Sequence, residues 1–186
     1  MTPVPPATDA TDMLALQRGE ERALDRLMDR WQAPLRGFLY RWTQNEQDAL
    51  DLAQETFVRV HQHRARFHPG AKFSTWMFQI ALNLARDHAR RAKRRPTVSL
   101  EDAPEPATGI TPGTQAAAAE RVAVVRAAIA ALPEDLRAVV LLSEYEDKSQ
   151  AEIAGIVGAT PKAVETRLYR ARERLRQSLA RFLQGH

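Results

Sequence analysis

Leu24, Leu27, Met28, Trp31, Leu35, Leu39 and Trp42 follow one another at steps of three and four, so they share one face of a helix. Pro34 is expected to bend that path or restart it. Ala49, Leu52, Ala53, Phe57 and Val60 repeat the pattern and predict a second helix over about 46–63. Pro69-Gly70 then signals a turn. Ser74 is a fitting cap for a third helix, whose inner face is Trp76, Met77, Ile80, Ala81 and Leu84. Apolar spacing resumes in an Ala- and Val-rich run from about 115. Pro133 suits a first helical turn, and Leu136, Val139, Val140 and Leu142 supply the buried face behind it.

The sharpest local pattern is near the C-terminus. Ser149-Gln150-Ala151-Glu152 reads as a capping box, in which the hydroxyl and the carboxylate satisfy opposite amides of one helix start. Ile153, Ala154, Ile156 and Val157 form that short helix. Gly158-Ala159 permits a tight turn, and Thr160-Pro161 opens another helix with Val164, Leu168, Ala171 and Leu175 inward. This is a helix-turn-helix whose second helix leaves Lys162, Glu165, Thr166, Arg167 and Arg170 outward, where a recognition helix meets bases and phosphates. Glu165 could accept from a cytosine, but pairing with a neighbouring Arg needs fewer assumptions.

Composition agrees with an all-α fold. The chain has 186 residues, 44% of them hydrophobic, with 8 Gly and no Cys. Leu, Ala, Arg and Glu favour helix over sheet. The missing cysteines exclude a disulfide scaffold and a Cys-based zinc site. No apolar run approaches the roughly 20 residues of a membrane span, and the N-terminus lacks the basic and apolar regions of a secretory signal. A cytoplasmic protein is expected. Pro3, Pro5 and Pro6 predict a disordered tail over 1–10, and Pro96, Pro104, Pro106 and Pro112 predict a flexible linker over 96–114. Two small helical domains are therefore expected, over 11–95 and 115–186, the second carrying the helix-turn-helix.

A net charge of +4 says little about partners, but its distribution says more. Arg86, Arg90, Arg91, Lys93, Arg94 and Arg95 cluster against Asp87. Lys162, Arg167, Arg170, Arg172, Arg174 and Arg176 cluster against Glu165 and Glu173. Two separated basic patches suggest two contacts with a polyanion, although solvated helix faces would show the same charge.

Two segments together resemble one family. The stretch from Asp48 to Phe57, containing DLAQETF, and that from Phe73 to Asn83, containing FSTW, resemble region 2 of the bacterial extracytoplasmic-function (ECF) sigma factors. The stretch from Leu132 to Leu175 resembles region 4. There are departures: Lys162-Ala163 stands where Gly-Thr is common, Asp147 where Gly is frequent, and Glu165 where Lys is frequent. They leave the class intact and the −35 target sequence open.

The resemblance implies a protein without an active site or cofactor that confers promoter specificity on core RNA polymerase. Region 4 would read the −35 element as duplex through Lys162, Thr166, Arg167, Arg170 and Arg174. Region 2 would hold the melted −10 strand with Lys72, Phe73, Asn83, Arg86, Asp87, Arg90 and Arg91, offsetting an unstacking cost of a few kcal/mol per base step. Asp48, Asp51, Gln54 and Glu55 would dock on the clamp helices of the polymerase β′ subunit, with region 4 on the β flap. An anti-sigma partner that clamps both domains is also expected from the family.

Other readings stay in view. Trp76 shares a face with Ile80 and Leu84, which favours packing over base stacking. Phe73 is balanced between the two, and Tyr169 is undecided. His88 continues the inner face of its helix. His61, His63 and His68 match no helical ligand pair, which disfavours a metal-dependent hydrolase. A regulator that binds duplex DNA without polymerase is the nearer alternative.

Overall fold

Thr8 caps the first helix, α1 (Asp9–Gln17), by accepting from the Thr11 N–H at 3.3 Å. Residues 9 and 10 are thus helical rather than part of a disordered tail. Charged and aromatic groups of the next helix hold this turn in place. Asp9 accepts from Arg30 and from the Trp31 indole at 3.0 Å each, and Asp12, wholly buried, accepts from Arg26 at 2.7 Å and from Arg30. The structure is a computed structural model that describes residues 8–94 and 114–184; within these ranges every regular element is helical. The expectations for residues 1–7 and for nearly all of the linker fall outside the described residues.

Gly19, at φ +94°, turns the chain into α2 (Arg22–Thr43). Pro34 neither ends nor restarts this helix. It withdraws one N–H from the carbonyl of Arg30, and the apolar stripe on either side keeps the helix continuous. Asn45 then caps α3 (Glu46–Gln62), its side chain accepting from the Asp48 N–H at 2.9 Å. A 3-10 turn (Arg64–Arg66) leads to α4 (Phe73–Arg94). Ser74 is not the cap of α4, which begins one residue earlier at Phe73, but a buried residue of its first turn whose hydroxyl accepts from the side chain of Lys148. Leu27, Leu35, Phe38 and Leu39 of α2 meet Leu52, Phe57 and Val60 of α3 and Met77, Phe78 and Leu82 of α4 in one core. Phe38 and Phe78 stand edge to face at its centre, 5.3 Å apart.

After the linker come α5 (Thr114–Ala130), α6 (Glu134–Glu144), α7 (Gln150–Val157) and α8 (Pro161–Gln184). Pro133 precedes α6 by one residue, at the cap, and Glu134 and Asp135 occupy the positive first turn. Both halves of the Ser149–Glu152 capping box form at the start of α7. Gly158, left-handed at φ +67°, makes the turn between α7 and α8.

The two helical units pack against each other. α7 lies against α4, and α5 and α6 lie against α2, so the apolar cluster runs continuously from one unit into the other. Periodicity carries no signal for such a contact between separately patterned units.

Candidate nucleic-acid interface

The second helix of the helix-turn-helix begins at Thr160, whose hydroxyl accepts from the Ala163 N–H at 3.2 Å. Val164, Leu168 and Ala171 are buried, and α8 uses this face to pack on α6 and α7. The opposite face is open. Lys162, Thr166, Arg170 and Arg174 are exposed on it, as is Tyr169 at 67% of its surface. Glu165 pairs with Lys162 at 2.8 Å, not with an arginine. The Thr166 hydroxyl donates to the Lys162 carbonyl at 3.0 Å, which fixes its orientation. Arg167 differs from the others: it is half-buried and lies 3.7 Å from Asp135 of α6.

The second set of predicted residues follows α4. Asn83, Arg90 and Arg91 are exposed, and Arg90 donates to Asp87 at 2.5 Å. Two cations of the set are already engaged by the other helical unit. Lys72 lies 3.1 Å from Glu152 of α7, and Arg86 lies 3.0 Å from Glu134 of α6. Phe73 does not offer a face to a base. It is 2% exposed, walled in by Trp31, Phe67 and Trp76. Trp76 is half-buried, with its ring 5.5 Å from that of Phe67, and packs on the core.

Asp48, Asp51, Glu55 and Arg59 of α3 line one groove of about 480 Å³, with His88 and Arg91 of α4 opposite. Asp51 and Gln54 are exposed, and Asp51 accepts from Gln47 at 2.9 Å. Glu55 pairs with Arg59 at 2.7 Å, and Asp48 lies 3.5 Å from His88. His88 is therefore a groove residue rather than part of the core. His61 meets Glu21 at 3.0 Å, and among the described residues no group of three or more His, Asp or Glu side chains is placed to hold a metal ion.

The residues that join the two units escaped the sequence reading. Lys148, on the loop between α6 and α7, donates to the Ser74 hydroxyl at 3.1 Å, its ammonium 5.3 Å from the rings of both Trp31 and Phe78. Arg137 of α6 lies over Trp42, and Arg41 of α2 lies over Tyr145. Burial pushes the Glu146 carboxyl up to about 7, although Arg41 and Lys148 pull it the other way. Glu152 behaves oppositely: hydrogen bonds from Ser149, helped by Lys72, hold it down to about 2. Asp147 between them is left-handed at φ +48°, which is a physical reason for a glycine to suit that position.

A helix-turn-helix with a cationic outward face, set beside a second helical unit with its own cationic helix and acidic groove, defines a two-part helical DNA-binding protein. The description Sigma-70 region 2 matches residues 27–95, and Sigma-70, region 4 matches residues 123–175. The RNA polymerase sigma-H factor of Pseudomonas aeruginosa is 33% identical over 173 residues, covering 88% of this chain and 90% of that one. The ECF RNA polymerase sigma-E factor of Haemophilus influenzae is 30% identical over 92% of this chain and 95% of its own. Among solved structures, CnrH in complex with the cytosolic domain of CnrY superposes with a TM-score of 0.71 at 28% identity, over 92% of this chain and 97% of that one. The Bartonella quintana sigma factor RpoE, solved with the anti-sigma factor NepR, shares the fold at 24% identity and a TM-score of 0.64, over 84% of this chain and 96% of its own. The chain belongs to the ECF sigma factors of RNA polymerase.

Proposed function

We propose that this sigma factor divides promoter reading between its two helical units. The supporting observation is the two-sidedness of α8: Val164, Leu168 and Ala171 are buried, while Lys162, Thr166, Arg170 and Arg174 face solvent. That face enters the major groove of the −35 duplex, with arginines available for bidentate contact to guanine and lysine for phosphate. Asn83, Arg86, Arg90 and Arg91 of α4, with Lys72 ahead of it, take the −10 strand after melting; Asp87 orients Arg90 within that group. Phe73 supports this surface from the core instead of stacking on a base. Asp48, Asp51, Gln54 and Glu55 dock on the clamp helices of the β′ subunit, and region 4 rests on the β flap.

This function requires no catalytic step in the chain, which acts in the cytoplasm on core polymerase. An anti-sigma protein is its proposed regulator. The relative CnrH was solved with the cytosolic domain of CnrY, and a groove of about 570 Å³ between α2, α5 and the end of α6, lined by Tyr40, Val122, Val125 and Tyr145, is open to such a partner.

The deciding experiment is transcription in vitro with core polymerase on a randomised promoter library. Enrichment of a two-element promoter with a fixed spacer is expected. Failure to associate with core polymerase, together with tight binding to duplex DNA, would favour the stand-alone regulator.

A further inference from the structure

We propose that Lys162 and Glu165 act as one unit that reads a C·G base pair in the −35 element. This rests on the assignment of α8 to that duplex and names part of what the helix reads. Both residues lie in the opening turns of α8, at the end that a recognition helix points at the bases. Among the described residues Glu165 makes one ion pair, with Lys162 at 2.8 Å, and both side chains stay more than half exposed. Arg167 turns away to Asp135, and the Thr166 hydroxyl is bonded back to the Lys162 carbonyl. Neither competes for the carboxylate.

A carboxylate facing DNA meets a surface of phosphates, and a hydrogen-bond donor is needed to offset the repulsion. The major groove offers two, N4 of cytosine and N6 of adenine. They are not equivalent. The adenine amino group stands between two acceptors, its own N7 and O4 of the paired thymine. The cytosine amino group has an acceptor on one side only, O6 of the paired guanine. Glu165 over adenine would therefore meet a like partial charge on each side. Over cytosine it meets one, and Lys162 covers it.

The spacing fits. N4 and O6 of a C·G pair are joined by a hydrogen bond, which sets them about 2.9 Å apart. The Glu165 carboxylate and the Lys162 ammonium present an acceptor and a donor 2.8 Å apart, the complement of that edge. From O6 the ammonium also reaches N7 of the same guanine. By itself Lys162 would go to a phosphate; its carboxylate partner turns it to the base edge. Glu173 forms a similar pair with Arg176, but it lies about 12 Å further along the axis, away from the end that points at the bases.

The test is selection by core polymerase, loaded with the full chain, from a promoter library randomised across the −35 element. The native protein, Glu165→Gln and Glu165→Ala are compared. Glu165 is exposed, so folding is not at stake, and an unchanged Tm checks this. The native protein should enrich C·G at one position by about tenfold over the other pairs. Glu165→Gln should move that position to A·T, because a carboxamide accepts from N6 and donates to N7 of adenine at once. Glu165→Ala should flatten the preference there and leave the other positions as they are. It should also steepen the salt slope of duplex binding by about one, as the released Lys162 takes a phosphate. The inference is overturned if both variants keep the native preference at every position, or if the position that responds is not C·G. It is overturned equally if Glu165→Ala weakens all sequences alike, the behaviour of a lysine held towards phosphate. Failure of the helix assignment looks different: Arg170→Ala would then leave duplex binding unchanged as well.

Discussion

Glu146 lies 3.7 Å from Arg41 of α2, with only 7% of its side chain exposed, on a loop that belongs to the other helical unit. The groups facing it are Arg41 from α2 and Lys148 and Asp147 from its own loop. Burial outweighs the two cations and pushes its carboxyl up to about 7, from an ordinary value near 4.5. Closure of the two units therefore binds a proton. Below about pH 4.5 the carboxyl is neutral whether the units are apart or together, and closing carries no charge penalty. The penalty grows as pH rises from there through 7 and is complete above it, at up to about 3 kcal/mol. The separation of the two units, followed by fluorescence energy transfer, should increase between pH 5 and 8. Glu146→Gln should remain closed across that window. Identical curves for the two proteins would remove Glu146 as the cause.

Asp12 anchors α1 from inside the core. Burial alone would raise its carboxyl, but hydrogen bonds from Arg30 and Arg26 outweigh burial and hold it below the usual range. A depressed carboxyl contributes stability above its ordinary pKa, and this is lost as pH falls through the lowered value. Asp12→Ala leaves two half-exposed arginines that can turn to water. The cost should be about 2 kcal/mol, below the 3–5 kcal/mol of a fully enclosed pair. At this chain length that lowers Tm by about 6 °C in calorimetry. A change under 1 °C would mean that α1 is held by its apolar residues Met13 and Leu16 alone.

The capping box of α7 makes an acid-side prediction. Glu152 is held down to about 2, chiefly by the Ser149 hydroxyl and amide. Its stabilisation is fully present above about pH 4.5 and fades as pH falls towards 2. Ser149→Ala removes the hydroxyl and should cost about 1 kcal/mol. It should also move the acid-unfolding midpoint, followed by circular dichroism, to higher pH. Unchanged acid unfolding would show that the Lys72 contact, not the cap, sets the Glu152 charge.

Residues that act through local chemistry were legible in the sequence. Ser149 and Glu152 declared their helix start, Gly158 its turn, and the spacing of Val164, Leu168 and Ala171 separated the inward from the outward face of α8. Phe73 shows where this ended. Aromatic character fits both base stacking and core packing, and Phe73 is enclosed by Trp31 of α2 and Phe67 after the 3-10 turn together with Trp76, neighbours its own pattern does not name. Ser74 has the chemistry of a cap, but Lys148, distant in sequence, took its hydroxyl. Asp9 and Ala10 read as tail because the partners of Asp9, Arg30 and Trp31, belong to another helix. The seam between the units was not legible at all: Arg41, Arg137, Glu146 and Lys148 are polar residues with no periodic signature, and each gains meaning only from what it faces.

The last prediction separates cations that one helix presents in different ways. Arg170 is exposed on the outward face of α8, whereas Arg167 is half-buried and 3.7 Å from Asp135. Arg170→Ala should weaken binding of the −35 duplex and lower the salt slope of log K by about one, as loss of a single phosphate contact requires. Arg167→Ala should leave the slope intact and cost a few tenths of a kcal/mol in stability, the scale of a partly exposed ion pair. Asn83→Ala should leave duplex binding untouched and reduce strand opening, read by permanganate reactivity of thymines in the −10 element. Fluorescence anisotropy across a salt series distinguishes the two arginines. If Arg167→Ala lowers the slope as much as Arg170→Ala, then Arg167 leaves Asp135 on binding, and the α6 contact is a holding position for a DNA-contacting residue rather than a brace for α8.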